Sequence, residues 1–167
     1  MTYTINSSLE SASRSSLSAV PNAIAAFQSL TTDDKLGLLW KLYENMGRAI
    51  TPAAPGAARM QFAEGLLNQV KAMPPQDQLQ FMRDLADQKN TPETRAYGVL
   101  SNNTKLAFWF QLAELMRTGE VIPVPSFYRL SGPALDVFGQ LSKLEFNQQI
   151  TVLRQAVVNM GVDPLAV

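Results

Sequence analysis

The chain has 167 residues and contains neither histidine nor cysteine. These two absences exclude a Ser-His or Cys-His nucleophile and the commonest zinc and haem ligations. They also exclude disulfides and thiolate metal sites, which suits a reducing compartment. Charge of one sign is missing too: 14 basic residues balance 14 acidic ones, interspersed along the chain. Phosphate binding needs a basic surplus, so nucleic acid is not the expected partner. No apolar run is long enough to span a bilayer, and the N-terminus lacks the basic-then-apolar order of a signal peptide. A cytoplasmic protein with no membrane span is the expectation. There is no glycine-rich phosphate loop, since Pro55-Gly56-Ala57 reads as a helix entrance, and nothing in the inventory argues for an enzyme.

What is present points to a large buried fraction: charged residues make up 17% of the chain, below the usual quarter. Residues 1–19 are rich in serine and lack periodicity, which predicts an arm ordered only where something packs on it. From Pro21 onward, helical patterns alternate with well-marked stops. Ile24, Phe27 and Leu30 begin the first. Thr31 or Thr32 caps a second helix, and Asp33 and Asp34 in its first turn match the helix dipole. Glu44 and Arg48 read as a solvated i, i+4 pair worth a few tenths of a kcal/mol. Ile50 to Gly56 breaks that helix. The next apolar faces are Phe62, Ala63, Leu66, Leu67 and Val70, then, after Pro74-Pro75, Leu79, Met82, Leu85 and Ala86.

Thr91-Pro92-Glu93 is a cap, a proline at N1 and a first-turn acid. Ser101 to Thr104 offers several caps for the following helix. Ile122 to Tyr128 cannot be helical throughout, because Pro123 and Pro125 force extended backbone. Helices resume after Ser131-Gly132-Pro133 with Leu135, Phe138 and Leu141. The last runs from Phe146 to about Met160, with Gly161 as its C′ residue. No segment alternates as a strand does, so the fold class is all-α: an arm at 1–19, one helical domain at 20–162 and a tail at 163–167.

Two stripes stand out. Leu36, Leu39, Trp40, Tyr43 and Met46 form one, and Leu106, Trp109, Phe110, Ala113 and Met116 the other. Both follow i, i+3, i+4, i+7 spacing, and together they hold both tryptophans of the chain. The helix around Trp109 has a second apolar face in Phe108, Leu112 and Leu115, leaving Asn103, Gln111, Glu114 and Thr118 as a narrow polar edge. A helix apolar on most sides is buried on most sides. Periodicity alone does not choose between a central core helix and one that turns its second face to an apolar ligand.

Five segments then carry a resemblance. They are Leu38-Leu39-Trp40 with Tyr43-Glu44-Asn45-Met46-Gly47; Ala53-Ala54-Pro55-Gly56-Ala57-Ala58; Asn103-Thr104-Lys105-Leu106-Ala107-Phe108-Trp109; Pro123-Val124-Pro125 with Tyr128; and Gln148-Gln149-Ile150-Thr151-Val152-Leu153-Arg154. In this order, over residues 20 to 162, the chain resembles the helical carotenoid proteins, homologues of the N-terminal domain of the cyanobacterial orange carotenoid protein. The resemblance implies two interleaved four-helix bundles around one ketocarotenoid (canthaxanthin, echinenone or 3'-hydroxyechinenone). Trp40, Tyr43, Trp109 and Phe110 would surround one end ring. Leu36, Leu39, Gly56, Met60, Met82, Leu106, Ala113, Met116, Val124, Pro125, Tyr128 and Ile150 would line the polyene tunnel. Phe110 stands where the family often has Tyr, and Ala113 where it often has Gly.

The same resemblance implies photoprotection, with the chain as a monomeric, constitutive quencher of singlet oxygen. Its alternatives are quenching of phycobilisome fluorescence, or delivery of pigment to a stand-alone homologue of the C-terminal domain. The chain ends at Val167, before that domain would begin, so the expectation is a light-insensitive carrier. Arg154 matches a position implied in antenna contact, which would bring the protein to the thylakoid surface through the phycobilisome.

Overall fold

The computed structural model describes residues 18–47 and 60–165. Most of the expected arm, the Ile50 to Gly56 break, Arg48 and the last two residues of the tail lie outside the described residues. Eight helices are described: α1 (18–28), α2 (Thr32–Met46), α3 (Gln61–Ala72), α4 (Pro75–Asp87), α5 (Pro92–Gly98), α6 (Asn102–Thr118), α7 (Gly132–Ser142) and α8 (Phe146–Val158). The described residues contain no strand. Helical backbone already includes residues 18 and 19.

Local chemistry explains the starts and stops. Thr31 caps α2, its side chain accepting from the Asp34 N–H at 3.3 Å. Thr91 and Thr94 form a reciprocal capping box ahead of Pro92 in α5. Ser101 caps α6 and Ser131 caps α7, each accepting from a backbone N–H three residues on. Pro75 occupies the first turn of α4, where its missing N–H has no intrahelical partner to lose. Residues 122–130 are non-helical, as the two prolines require.

The helices pack as two interleaved four-helix bundles. The helix α2 packs on α4, α6 and α7, while α6 also packs on α3 and α8. The helix α6 therefore runs through the middle, and its inner face holds the centre of the core. Phe108 and Leu112 are fully buried there with Leu38 and Leu85. Phe81 and Tyr97 set their rings edge-on to Phe108, at centroid distances of 6.3 and 5.4 Å. Burying a side chain of this size contributes about 1.5–3 kcal/mol.

Two expected core positions point outward instead. Phe62 is 64% exposed and Leu135 is 53% exposed. On α3 the buried arc is Ala63, Leu66, Leu67 and Val70, and on α7 it is Ala134, Val137 and Leu141. Each misplaced residue lies one step, about 100°, from the start of its buried arc, and the neighbouring helices decide which arc is covered.

The last helix closes at Val158, two residues sooner than its apolar pattern implies. Gly161 nevertheless adopts a left-handed φ of 73°. Its N–H donates to the Leu85 carbonyl at 2.9 Å, and that of Val162 donates to Thr94 at 3.2 Å, so the chain end is fastened across α4 and α5. A Cβ on Gly161 would sit 2.6 Å from the Tyr97 ring and 3.0 Å from the Thr94 carbonyl. Gly161→Ala is therefore expected to cost about 1–3 kcal/mol, read as a lower urea midpoint at unchanged slope.

Candidate functional site

A cavity of about 720 Å³ runs between α2, α4, α6, α8 and the 122–128 segment. Along α6 its wall extends from Asn103 to Met116, roughly 20 Å at the helical rise per residue. Every residue expected around a ligand is on this wall except Gly56, which lies outside the described residues. Leu36, Leu39, Trp40 and Tyr43 come from α2, Met60 from the start of α3, and Met82 from α4. Leu106, Trp109, Phe110, Ala113 and Met116 come from α6, Val124, Pro125 and Tyr128 from the proline segment, and Ile150 with Arg154 from α8. The two faces of α6 are thus used differently: Phe108 and Leu112 face core, while the Trp109–Met116 stripe faces the cavity.

The aromatic residues divide into two groups. The Trp40 and Tyr43 rings lie 5.3 Å apart, tilted by 35°, and Tyr43 meets Phe110 edge-on at 5.9 Å. The Tyr43 hydroxyl donates to Glu114, which also accepts from Arg117 at 2.8 Å. The ring is thereby fixed across α2 and α6. Burial and the Glu114 carboxylate both raise the Tyr43 pKa, so the phenol stays a donor. Trp109 is held separately. Its indole N–H donates to the Tyr97 hydroxyl at 3.0 Å, and Tyr97 donates to the Val157 carbonyl on α8. Burial drives the Tyr97 pKa upward. Lys105 closes this node, its Nζ donating to the Val158 carbonyl at 3.2 Å and lying 5.4 Å from the Tyr97 ring centroid. No ring contact among the described residues joins Trp109 to the trio.

The proline segment is positioned by two buried polar side chains that helix-start rules do not reveal. Asp34 was expected to serve the α2 dipole, but it is 6% exposed and reaches across the fold. It accepts from the Tyr128 hydroxyl at 2.9 Å, from the Ser131 N–H at 3.3 Å and from the Ser131 hydroxyl. The Tyr128 ring comes close enough to α2 that a Cβ at Gly37 would meet it at 2.6 Å. Gln78, 3% exposed, donates to the Val70 and Glu120 carbonyls at 3.0 and 3.3 Å. It also accepts from the Ile122 N–H at 2.8 Å. Asp33 has a different partner, a bidentate ion pair with Arg83 at 2.9 and 3.1 Å on the outer rim.

The wall also includes Leu79, Ile122, Phe146, Leu153 and Val157, which the stripes did not bring in. Phe146, Ile150, Leu153 and Val157 follow the same i, i+3, i+4 logic on α8, so the signal was present in their spacing. Tyr97, Gln78 and Lys105 left no such signal, because each has a partner 42 to 60 residues away in sequence. Among the described residues no group of three or more acidic side chains could hold a metal ion, and no helix is long and apolar enough to cross a membrane.

The family model of the orange carotenoid protein N-terminal region matches residues 13–163. The chain belongs to this family. A domain-containing relative from Nostoc sp. (strain PCC 7120), an orange carotenoid-binding domain-containing protein, is 59% identical over 89% of this chain and 86% of its own. The solved Anabaena (Nostoc) orange carotenoid protein binding canthaxanthin is 49% identical, with a TM-score of 0.82 over 87% of this chain. This chain covers 47% of that longer protein. The Red Carotenoid Protein from the same organism, also solved binding canthaxanthin, is 36% identical, with a TM-score of 0.74 over 85% of this chain and 97% of its own. The orange carotenoid protein family is one of pigment-binding proteins rather than of known enzymes.

The Asp34 anchor gives the cavity a pH dependence. Burial pushes the Asp34 carboxyl up, but the hydrogen bonds from Ser131, Tyr128 and Thr31 outweigh it and hold the pKa below the ordinary 3.8. A depressed carboxylate contributes stability that is present above its unfolded pKa and lost as pH falls through the folded one. Asp34→Asn is expected to cost about 1–3 kcal/mol at neutral pH. In urea titrations its difference from the parent should shrink only below the ordinary aspartate range; a difference constant down to strong acid would refute the carboxylate's role.

Proposed function

We propose that the cavity holds one carotenoid lengthwise and that the loaded protein acts in photoprotection by quenching singlet oxygen. The observation that carries this reading is the convergence, on one largely apolar cavity, of every described residue that the family resemblance set around a ligand, in a chain of the orange carotenoid protein family. A volume of about 720 Å³ lies in the range of sites that enclose a ligand of several hundred daltons. The cavity fits an uncharged rod, because most of its lining is apolar and the Asp33–Arg83 ion pair sits on the rim.

When bound, a polyene supplies the low-lying excited states that accept energy from singlet oxygen, which no side chain can provide. The chain's residues bind and orient it. Trp40, Tyr43 and Phe110 present a three-ring wall suited to a flat end ring. Met60, Met82 and Met116 fill the space beside the rod with adaptable thioethers. Phe110 offers its ring without a hydroxyl, and Ala113 adds a methyl to the wall. Both changes favour recognition by shape over hydrogen bonding at that end. Gross burial of several hundred Å² is worth on the order of 10 kcal/mol, from which ordering costs are subtracted. On this reading the ligand is a ketocarotenoid, as in the canthaxanthin-binding relatives.

Co-expression with a ketocarotenoid pathway should yield a coloured, monodisperse protein. A folded but colourless product would overturn the reading. Trp40→Ala combined with Phe110→Ala should lower pigment occupancy about tenfold or more at unchanged helicity by circular dichroism. Near-infrared singlet-oxygen emission should decay faster with the loaded protein than with the same protein freed of pigment; equal decay would leave binding without quenching.

A further inference from the structure

Glu114 stands on the polar edge of α6, outside the cavity. From that edge the wall takes Asn103 and Gln111, and from the same turn Phe110 and Ala113, but neither Glu114 nor Arg117. Both Glu114 carboxylate oxygens are nevertheless engaged. One accepts from the Tyr43 hydroxyl on α2, and the other accepts from the Arg117 guanidinium at 2.8 Å. The ion pair alone does not account for this arrangement. The Glu114 and Arg117 side chains are 33% and 62% exposed, and an exposed pair of this kind contributes about 0–1 kcal/mol. It also needs only one of the two oxygens. The other oxygen ties Glu114 to a ring that lines the cavity. The Tyr43 hydrogen bond, ahead of the one from Arg117, holds the Glu114 carboxyl below its ordinary range, so the acceptor is ionised at neutral pH.

Tyr43 is the central ring of the three-ring wall. It meets Trp40 at 5.3 Å and Phe110 at 5.9 Å, and among the described residues no ring contact joins those two directly. The residue one turn further along α2 is Gly47, which has no side chain to press on the ring; a Cβ there would lie 3.4 Å from it. Tyr43 is half-buried and borders the cavity, so packing does not enclose its ring. The phenol oxygen is the atom farthest from the backbone. A hydrogen bond there limits the swing of the ring about χ1 more than any contact nearer Cβ. Phe110 has no hydroxyl with which to share that restraint. We propose that Glu114 is a positioning residue for the pigment: from outside the cavity, and through Tyr43, it fixes the ring wall against which an end ring of the carotenoid lies. This inference rests on the carotenoid reading of the cavity and adds to it a residue that touches no pigment.

The test is a double-mutant cycle on the protein loaded with canthaxanthin, comparing the parent with Glu114→Ala, Tyr43→Phe and the two combined. Visible circular dichroism reads how firmly the protein imposes one geometry on the bound pigment, and a merely structural role for Glu114 would not move it. Each single variant should weaken that signal and raise the Kd for canthaxanthin about three- to tenfold, as expected for one lost hydrogen bond. The double variant should be no worse than either single one, because both remove the same bond. Glu114→Leu, which fills the space without an acceptor, serves as the readout if the alanine variant does not fold. Losses that add in the double variant, or an unmoved pigment signal in Glu114→Ala and Glu114→Leu, would overturn the proposal while leaving the carotenoid reading intact. Failure of the parent to take up canthaxanthin would end both.

Discussion

The helix α6 has two apolar faces and can bury only one of them in core. Phe108 and Leu112 are wholly buried in the core, with Phe81 and Tyr97 edge-on to Phe108, which holds the helix in the middle of the molecule. The opposite stripe, from Leu106 to Met116, is only partly covered by its neighbours and becomes the wall of the cavity. Seventeen residues long, α6 is the axis about which the other elements are placed. The helices α3 and α8 pack against it, and α2 meets it at the Tyr43–Glu114 hydrogen bond. An apolar wall left facing a void loses dispersion contacts. Its persistence in a well-packed fold is therefore the physical argument for a ligand of matching shape.

Keeping such a slot open requires that the surrounding backbone not collapse into it. The 122–130 segment is the vulnerable part, because its prolines deny it the internal hydrogen bonds of a helix. Gln78 holds one end through Glu120 and Ile122, and Asp34 holds the other through Tyr128 and Ser131. Ser131 acts twice: its hydroxyl donates to Asp34 and accepts from the Ala134 N–H as the cap of α7. Fixing the loop and starting the next helix are thus one arrangement. On the far side, the Trp109–Tyr97–Val157 chain fastens α6 to α8 through a fully buried phenol. Low local dielectric strengthens these bonds and penalises their loss.

Which parts of this were legible in the sequence follows from the range of the interactions. Thr31, Thr91, Ser101 and Ser131 announce helix starts because a cap satisfies N–H groups two or three residues away. The Trp40 and Trp109 stripes were legible for the same reason, since helical spacing is local. Phe62 and Leu135 misled, because spacing identifies an apolar arc but the packing of α3 and α7 decides where that arc is covered. Asp34 reads as a dipole residue from its position, yet its partners are 94 and 97 residues away. Tyr97, Gln78 and Lys105 belong to that same long-range class. The assignment of pigment roles came from resemblance to a family, not from spacing, which did not choose between a core face and a ligand face of α6.

The polar groups of the wall sharpen what kind of recognition this cavity can perform. Tyr43 is committed to Glu114, Tyr128 to Asp34 and the Trp109 indole to Tyr97, so each of these rings offers a ligand its face while its polar end is already satisfied by protein. A ligand is thereby read almost wholly by length, thickness and flatness. Such recognition discriminates weakly between molecules that differ by one oxygen, because an apolar pocket rejects an added polar atom only modestly. Discrimination at that level needs a polar group on the wall whose hydrogen bond the protein itself does not use.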